Sequence, residues 1–315
     1  MPSRRTSALY RAASTATLFT TGLLSKLFLY STQRTTVEGL PAFLKLLEAH
    51  RRNADRGLLT VSNHKSVLDD PLLWGTLPLR LLHPSTTRHS LGSADICFTS
   101  PLTSAFFTLG QVHRTYRLHK SPQDGGLFQP TLNSLPTAVL SPPHAGWVHI
   151  FPEGRVHQHP QHQMRYFKWG VSRLILEASA APVVVPMFVV GLEAVMAEDR
   201  GWPRCLPRMG KSVKIVFGDP AQDELWSDVR EEWQKLWLRE GGGRVEDSEV
   251  LRTGKEAVQL RIETTRRVRE EVVKLRRRLG YPEEESGAGD PVTYRFPGMD
   301  AKQGKLSDGS MVEDT

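Results

Sequence analysis

The distribution of apolar residues along the chain predicts a core of buried strands that alternate with amphipathic helices. Residues 57–61 and 181–190 are nearly continuous apolar runs next to glycine or proline, which is typical of strands covered on both faces. Aromatic and β-branched residues at 147–151 and an alternating pattern at 212–217 indicate two further strands. Apolar positions recur at helical spacing over 167–178. This order predicts an α/β fold with a mostly parallel or mixed sheet that helices flank.

The pattern becomes helical and strongly charged towards the C-terminus. Residues 224–238 are predicted to form a helix, and residues 255–279 a long basic helix with one apolar stripe. The stretch between them, 240–254, is rich in glycine and polar residues and is predicted to be a linker. Polar residues after Gly280 are typical of a disordered tail. The chain thus divides into a basic segment, an α/β core, C-terminal helices and a tail, over residues 1–37, 38–222, 223–280 and 281–315.

The first 37 residues are basic and contain no acidic side chain, since the first one along the chain is Glu38. Apolar residues between Leu18 and Phe28 can form one face of a helix. This composition is typical of a mitochondrial address or of an amphipathic helix that lies in a membrane interface. A secretory signal and a disordered basic terminus are the alternatives. The uncharged run 12–25 is shorter than the ~20 residues that a spanning helix needs.

The overall charge narrows the classes of partner. A net charge of +7 and a pI near 9.5 favour phospholipid headgroups, phosphorylated substrates or nucleic acid. The sequence has no platform of interleaved aromatic and basic residues that points to nucleic acid. The basic helix 255–279 would either present a solvated face or lie on an anionic membrane. The uncharged segment 178–192 is too short to span a bilayer upright, and a buried strand is its first interpretation.

Metal and cofactor sites have little support in the sequence. The two cysteines, Cys97 and Cys205, cannot form a zinc site or a disulfide framework by themselves. The histidine-rich loop 157–162 has no cysteine nearby and no acidic residue between Gly154 and Glu177. We therefore predict no metal site and no bound cofactor, while coenzyme A as a co-substrate is left open.

Candidate chemistry begins at the turn that follows the first buried strand. His64 and Asp69 lie in this strand-to-helix turn, with Pro71 at the first predicted helical position and Asp70 as its cap. Such a turn can fold the Asp69 carboxylate back onto the imidazole, where it fixes the tautomer and stabilises the imidazolium. An imidazole held in this way can act as a general base towards a hydroxyl group. The simpler alternative is a helix cap beside a surface histidine.

A second turn follows the strand at 147–151 and reads Phe-Pro-Glu-Gly-Arg over 151–155. Gly154 permits close backbone approach, and the planar guanidinium of Arg155 suits a phosphate group. A strand-end turn with a solvated arginine is the simpler interpretation. In a parallel sheet, however, both turns open at the same carboxyl edge, where α/β sheets bind ligands. The two turns together therefore predict one site that combines a base with a phosphate-binding group.

The residues of these turns resemble the glycerolipid acyltransferase superfamily. Residues 63–66 followed by Asp69 are similar to its His-x4-Asp motif, and residues 151–155 are similar to its FPEG motif, in the same order. Residues 69–75 and 94–98 resemble the branch of the superfamily that moves acyl chains between phospholipids and lysophospholipids in mitochondria. Further similar segments lie at 106–110, 128–129, 185–187 and 213–220.

The resemblance implies an enzyme that transfers an acyl chain from a phospholipid to a lysophospholipid, such as monolysocardiolipin, without coenzyme A. In this interpretation His64 is the general base and Asp69 orients it. The substrate-binding set is Glu153, Gly154 and Arg155 of the second turn, with Asn63 and Ser66 of the first. Of these, Glu153, Asn63 and Ser66 are expected to order the turns more than they contact lipid.

The resemblance also implies a location, and it leaves alternatives open. We expect a peripheral or monotopic protein on anionic, cardiolipin-containing phospholipid, in the mitochondrial inner or outer membrane and facing the intermembrane space. Segment 178–192 is then a candidate for an anchor in one leaflet. A coenzyme A-dependent lysophospholipid acyltransferase would use the same His64 and Asp69. A non-enzymatic lipid-binding protein, the second alternative, would not need His64.

Overall fold

A mixed β-sheet forms the centre of the protein, in a computed structural model that describes residues 7–52, 55–118, 120–294, 304–305 and 311–312. The strands are β1 Arg34–Glu38, β2 Leu58–Ser62, β3 Ser90–Ser93, β4 Val112–Thr115, β5 Trp147–Ile150, β6 Val183–Val190, β7 Ser212–Phe217, β8 Gly304–Lys305 and β9 Met311–Val312. The central sheet has the order β1-β7-β6-β2-β5, in which β6 and β7 are antiparallel and the other neighbours are parallel. The predicted α/β class with a mixed sheet is confirmed.

Two smaller strand pairs accompany the central sheet. The parallel pair β3–β4 continues it at the β5 edge, where His89 and Val148 form a bridge. The antiparallel pair β8–β9 lies in the C-terminal tail. The helices are α1 Ala8–Thr32, α2 Leu40–Arg52, α3 Asp69–Gly75, α4 Ala94–Cys97, α5 Pro101–Leu109, α6 Pro130–Ala138, α7 Gly170–Leu176, α8 Leu192–Val195, α9 Glu224–Arg239, α10 Glu249–Thr253 and α11 Lys255–Arg278.

Helices cover both faces of the sheet, which explains why its inner strands are apolar throughout. Successive residues of a strand point to opposite faces, so Leu58 and Leu59 enter different cores. Side chains of α1, α2 and α3 pack on the Leu58 face, and side chains of α7, α9 and α11 pack on the Leu59 face. β6 lies between β7 and β2 in the middle of the sheet and is buried over most of its length. The uncharged segment 178–192 is therefore built around a core strand, and the interpretation as a membrane anchor is wrong.

The N-terminal segment forms the 25-residue helix α1, which packs against the rest of the protein. A stripe of mostly small residues, Ser14, Leu18, Gly22, Ser25 and Leu29, is buried against the core. A side chain at Gly22 would collide with Leu82, and one at Gly75 of α3 would collide with Ser25, so these glycines let α1 lie close to Leu82 and to α3. For residues 8–32 the disordered alternative is wrong, whereas the mitochondrial address stays a prediction. None of the described helices has the length and apolar character needed to cross a membrane.

The C-terminal part is more ordered than the sequence predicts. The predicted linker 240–254 contains helix α10, and Val245 and Leu251 are buried beside α9 and α11. Its glycines form the turn after α9, where Gly241 and Gly242 have positive φ. The start of the predicted tail is also folded, because Glu284 pairs with Arg269 at 2.7 Å and Ala288 is buried. Disorder is therefore wrong for this first part of the tail.

The basic helix α11 has a buried side and an exposed side. Arg261 and Arg276 are fully buried and donate to backbone carbonyls, for example from Arg276 Nε to the His162 carbonyl at 3.1 Å. Other basic side chains of this helix form ion pairs with acidic residues, namely Arg266, Arg267, Arg269, Lys274 and Arg277. The helix packs on β6 through its buried side, while its other side, with Arg266, Lys274 and Arg277, is exposed. The predicted solvated face is confirmed for this side, and contact with an anionic membrane stays a prediction.

Candidate active site

The two sequence motifs lie side by side because the strands that carry them are parallel neighbours. β2 pairs with β5 in the register Leu58 to Trp147 and Val61 to Ile150. Both chains leave the sheet at the same edge, and their turns contact each other directly. The Oε1 atom of Glu153 accepts a hydrogen bond from the backbone N–H of His64 at 2.8 Å. The predicted meeting of the two turns at one edge is therefore observed.

His64 and Asp69 form a hydrogen-bonded pair. His64 Nδ1 lies 2.8 Å from Asp69 Oδ2. The carboxylate is fully buried, while the imidazole side chain is 22% exposed. Since the carboxylate can only accept from Nδ1–H, the neutral imidazole presents Nε2 as a lone pair to the solvent side. In the part of the chain that the structure describes, Nε2 has no hydrogen-bond partner, so it is available to a substrate proton.

The backbone of the turn fixes the position of Asp69. Its Oδ2 atom also accepts from the backbone N–H groups of Lys65 at 2.5 Å and Ser66 at 2.9 Å. Three N–H donors thus converge on one oxygen, which holds the carboxylate against the imidazole. Asp69 is itself the first residue of α3. The spacing of five residues between His64 and Asp69 is the length that lets this short turn close.

Asp70 has a different role from the helix cap that the sequence predicts. Helix α3 begins at Asp69 and has no side-chain cap. The Asp70 carboxylate instead forms an ion pair with the buried Arg88, and it accepts from Trp74 Nε1 at 2.9 Å. Arg88 also donates to the Gly110 carbonyl at 3.0 Å. The guanidinium of Arg88 helps to hold the pKa of Asp70 below its usual range against the opposing effect of burial. Asp70 therefore ties α3 to the β3–β4 pair.

Glu153 connects the second turn to its surroundings. It is buried, and its Oε2 atom accepts from the backbone N–H of Arg165 at 2.9 Å, while Oε1 accepts from His64. Burial raises the pKa of Glu153, and both oxygens are engaged with backbone donors. Gly154 follows with φ +68°, a conformation that glycine adopts without strain. Arg155 is half-buried beside it, at the rim of the site.

Two residues of the predicted substrate-binding set lie beneath the surface. Asn63 is fully buried and its side-chain amide forms two hydrogen bonds with the backbone of Val189, at 2.9 Å and 2.8 Å. Ser66 is fully buried, and its hydroxyl oxygen accepts from the backbone N–H of Leu68 at 3.1 Å. Asn63 thus fastens the end of β2 to β6, and Ser66 closes the turn. Neither side chain is placed to contact a lipid.

An aromatic wall supports the His64 ring. The ring stacks on Phe151, with centroids 4.3 Å apart and planes 21° from parallel. Phe151 in turn meets the buried His149 edge-on at 4.5 Å, and His149 meets Trp74 at 4.8 Å. Burial lowers the pKa of His149 to about 3, so this imidazole is neutral and packs as an aromatic ring. Sequence patterns place Phe151 and His149 on a strand, but they do not reveal that the end of this strand packs against the His64 ring.

The buried neutral imidazole predicts a loss of stability in acid. In the unfolded chain His149 has a pKa near 6.5, and in the folded protein its pKa is about 3. Below about pH 6.5 the unfolded chain therefore binds a proton that the folded chain does not, and stability falls as pH falls. We expect this residue to cost about 2 kcal/mol between pH 7.5 and pH 5. Urea unfolding of wild type and His149→Gln across this range measures the difference in slope.

A matched control for this prediction is His144→Gln, since His144 is exposed. It should leave the pH dependence of unfolding as it is in wild type. The account of His149 is contradicted if His149→Gln has the wild-type slope, or if the exposed variant flattens the slope to the same degree.

Further polar residues near the site were not predicted from the sequence. Lys65 is buried, and its Nζ atom donates to the backbone carbonyl of His157 at 3.1 Å. This contact attaches the histidine-rich loop to the turn that carries His64. Among the described residues no group of histidine, cysteine and acidic side chains is arranged to hold a metal ion. The position of Lys65 between His64 and Asp69 could have marked it as a residue of the site, but the sequence does not show that its side chain is buried.

The chain is similar to several known proteins. A family model described as Acyltransferase matches residues 43–190, which include both turns. Tafazzin of Saccharomyces cerevisiae is 36% identical over 304 residues, which cover 86% of this chain and 80% of the yeast protein. Taffazin of Dictyostelium discoideum is 36% identical over 203 residues, with 63% of this chain and 66% of that protein covered.

More distant similarity extends to a plant enzyme and a bacterial structure. N-acylphosphatidylethanolamine synthase of Arabidopsis thaliana is 36% identical over 171 residues, or 53% of this chain and 57% of that protein. The crystal structure of the 1-acyl-sn-glycerophosphate acyltransferase PlsC from Thermotoga maritima aligns with a TM-score of 0.48 at 15% identity, over 86% of this chain and 81% of that chain. Because the similarity to the yeast protein extends over most of both sequences, the chain belongs to the tafazzin family of acyltransferases.

Proposed function

We propose that the protein transfers an acyl chain directly from a phospholipid to a lysophospholipid, without coenzyme A, and that His64 is the general base. The observation that carries this proposal is the His64–Asp69 pair, whose partly exposed imidazole lies at the sheet edge where the Arg155 turn also lies. Family membership supports acyl transfer as the reaction. The resemblance of the sequence to mitochondrial transacylases supports a phospholipid donor and an acceptor such as monolysocardiolipin.

The reaction follows from the state of the imidazole. Nε2 of His64 takes the proton from the free hydroxyl of the lysophospholipid, and the resulting alkoxide attacks the ester carbonyl of the donor. The tetrahedral intermediate collapses as the bond to the donor's glycerol oxygen breaks. The imidazolium returns its proton to that departing oxygen, and a new lysophospholipid leaves. Asp69 stabilises the imidazolium between the two proton transfers.

The positions of the other nucleophilic side chains support direct transfer over an acyl-enzyme intermediate. Ser66 is fully buried and its oxygen already accepts from a backbone N–H. Burial raises the pKa of the Cys97 thiol to about 11, so it is not a thiolate at neutral pH. Cys205 is exposed on the loop after α8, in a segment that contacts the end of α1 through Arg208 and Gln33. Neither cysteine replaces the attacking hydroxyl.

The alternative donor is acyl-coenzyme A, which would use the same base. The two donors are separated by offering both in one vesicle experiment, with phosphatidylcholine and acyl-coenzyme A carrying different isotopes in their acyl chains. The product made from monolysocardiolipin should carry the phosphatidylcholine isotope, and omission of acyl-coenzyme A should not slow its formation. Product that carries only the acyl-coenzyme A isotope would contradict the proposed donor.

An exposed apolar surface supports a site that works at a bilayer. Helix α1 exposes large side chains on the side away from the core, and α4 and α5 do the same beside it, where Tyr10 and Ser14 donate to the backbone of α5. Val67, in the catalytic turn itself, is also exposed. Large exposed apolar patches mark membrane or protein contacts. We call the exposed side chains on these neighbouring helices the apolar face, which includes Leu9, Leu24, Leu27, Ile96, Leu102 and Phe106.

We infer that the apolar face rests in the interface of a phospholipid membrane, as a peripheral or monotopic protein would. Leu102 is 80% exposed near the start of α5. Leu102→Glu should leave the unfolding temperature near that of wild type but weaken binding to cardiolipin-containing vesicles about tenfold, because burying a leucine side chain contributes about 1.5–3 kcal/mol. Vesicle flotation measures the bound fraction.

The control for this prediction is Leu238→Glu, at an exposed leucine on α9, a helix that covers the other face of the sheet. It should bind vesicles as wild type does. Equal loss of binding in both variants would show that added negative charge, and not the apolar face, determines binding.

The same proposal places the protein on a mitochondrial membrane, on the side that faces the intermembrane space. Imaging of the tagged full chain tests this location.

A further inference from the structure

The loop between α8 and β7 exposes apolar and basic side chains together. Trp202 is 93% exposed, Met209 is 68% exposed and Leu206 is 61% exposed. Single exposed apolar side chains need no explanation, but several large ones on one short segment point to a contact surface. Residues 200–211, which we call the basic loop, contain four basic side chains and no acidic one. The four are Arg200, Arg204, Arg208 and Lys211.

The positive charge of the basic loop is not neutralised within the described part of the chain, where none of its four basic side chains forms an ion pair. The guanidinium groups of Arg200 and Arg204 donate to backbone carbonyls of the same segment, at 2.6 Å and 3.1 Å. These carbonyls carry no net charge. Even with Glu198 and Asp199 just before the loop, segment 198–211 has four basic and two acidic side chains. The loop therefore presents positive charge beside its apolar side chains.

The basic loop lies at the edge of the sheet that carries His64. β6 is parallel to β2, so both strands end at this edge, and the chain continues from β6 through α8 into the loop. The side-chain amide of Gln158 joins the start of the loop to the His64 turn. Its Nε2 atom donates to the carbonyls of Lys65 at 2.8 Å and Met196 at 3.0 Å, and its Oε1 atom accepts from Glu198 N–H at 2.8 Å. A surface that binds the loop therefore lies beside the proposed acyl-transfer site.

The end of the basic loop is fixed to the body of the protein. Arg208 N–H donates to the Val195 carbonyl at 2.8 Å, and Gly210 N–H donates to the Thr32 carbonyl at the end of α1, also at 2.8 Å. Helix α1 carries part of the apolar face. The exposed side chains of the loop are thus held next to a helix for which we already infer contact with a membrane.

We propose that the basic loop binds the surface of an anionic phospholipid bilayer, with Trp202, Leu206 and Met209 among the headgroups and the basic side chains on lipid phosphates. Tryptophan favours the membrane–water interface, where its apolar ring and its polar N–H are both accommodated. Each basic side chain near an anionic surface adds attraction. The proposal rests on the proposed function for the choice of a bilayer as partner, and it adds to the apolar face a contact that depends on lipid charge.

Binding to vesicles of ether-linked lipids tests the loop without catalysis, because these lipids have no acyl ester to transfer. One set of vesicles contains phosphatidylcholine alone, and the other also contains phosphatidylglycerol. The double variant Arg208→Gln/Lys211→Gln removes two charges whose side chains form no hydrogen bond in the described part of the chain. The matched control, Arg51→Gln/Arg52→Gln, removes the same charge from the exposed end of α2, a helix that packs against the start of β5 at the opposite edge. Circular dichroism and thermal unfolding show that each variant is folded.

We expect the loop variant to bind vesicles with phosphatidylglycerol about 30-fold more weakly than wild type does, since each charge contributes about fivefold. It should bind neutral vesicles as wild type does, and added salt should reduce the difference between the two proteins because it screens the charges. The α2 variant should bind both kinds of vesicle as wild type does. The loop is not the anionic contact if both variants lose the same affinity, or if neither loses any.

The apolar part of the contact is tested with Trp202→Ala. This variant should bind both kinds of vesicle about tenfold more weakly, because a large apolar side chain no longer leaves water on binding. Leu238→Ala, at the exposed position on α9, should bind as wild type does. Wild-type affinity in Trp202→Ala would show that the loop contacts a partner other than lipid, such as an acidic protein, and the proposal would be wrong.

A polarity-sensitive fluorophore on Cys205 reports the surroundings of the loop directly. Cys205 is exposed within the loop, whereas Cys97 is half-buried and burial raises its pKa to about 11, so Cys205 is labelled first. The emission should shift to shorter wavelength when vesicles with phosphatidylglycerol are added. Labelled protein that binds these vesicles without a shift in emission would contradict entry of the loop into the interface.

The transfer assay with ester-linked lipids separates this proposal from the proposed function. Wild type that binds vesicles through the loop but transfers no acyl chain contradicts the proposed function and leaves the loop contact standing. Wild type that transfers acyl chains, with loop variants that bind as wild type does, contradicts the loop contact and leaves the proposed function standing.

Discussion

Replacing His64 with alanine is expected to reduce acyl transfer by about 10³-fold, since proton transfer by a positioned base contributes about 10²–10⁴-fold. The imidazole is the group whose Nε2 is open to the substrate hydroxyl, and its other nitrogen is fixed by Asp69 at 2.8 Å. Without it the acceptor hydroxyl must attack as a neutral alcohol, and the departing glycerol oxygen receives no proton. The measurement is the initial rate of label transfer from phosphatidylcholine to monolysocardiolipin in vesicles.

Stability should change little in this variant, because the imidazole is partly exposed and Asp69 keeps its two backbone donors. His144→Ala, at an exposed position, is the matched control and should transfer at the wild-type rate. A folded His64→Ala protein that transfers within a few-fold of wild type would show that the base is elsewhere.

Asp69→Asn is expected to reduce transfer by about 10²-fold while the fold is kept, because the loss is of the charge that stabilises the imidazolium. The backbone N–H groups of Lys65 and Ser66 require an acceptor, so they should orient the amide with its oxygen in the place of Oδ2. That oxygen can still accept from His64 Nδ1, which preserves the tautomer.

Asp69→Ala should be the more damaging change, with a loss of about 10³-fold and about 1–3 kcal/mol of stability, since it also leaves buried backbone donors without an acceptor. Transfer rates and urea unfolding of the two variants measure the order. If Asp69→Asn transfers more slowly than Asp69→Ala, or at the same rate, the view that the carboxylate orients the imidazole and stabilises its charge is contradicted.

The sequence predicts the part of the site that depends on local chain geometry. An apolar run followed by His64 and Asp69 is sufficient to place both side chains in one turn, because a turn of this length closes on itself. The parallel order of β2 and β5 also follows from strands that alternate with helices. The direct contact between Glu153 and the backbone of His64 does not follow, since it depends on the neighbouring positions of β2 and β5 in the sheet.

The failures have a common cause, which is that side chains find partners far away in the sequence. Asp70 is a reasonable helix cap from the sequence, but in the fold its carboxylate forms an ion pair with Arg88, which precedes β3. The charges of α11 suggest that all its basic side chains are solvated, but Arg267 and Arg269 pair with acids of other segments. A sequence pattern shows that a residue is charged, and only the fold shows which partner satisfies it.

The most direct test of direct transfer between phospholipids is the stoichiometry of the reaction without coenzyme A. Vesicles contain acyl-labelled phosphatidylcholine and monolysocardiolipin, and lysophosphatidylcholine, labelled cardiolipin and free fatty acid are quantified over time. The account predicts equal amounts of lysophosphatidylcholine and labelled cardiolipin from wild type, with little free fatty acid. Lysophosphatidylcholine matched by free fatty acid would show a hydrolase instead, and labelled cardiolipin that forms only after coenzyme A is added would contradict direct transfer.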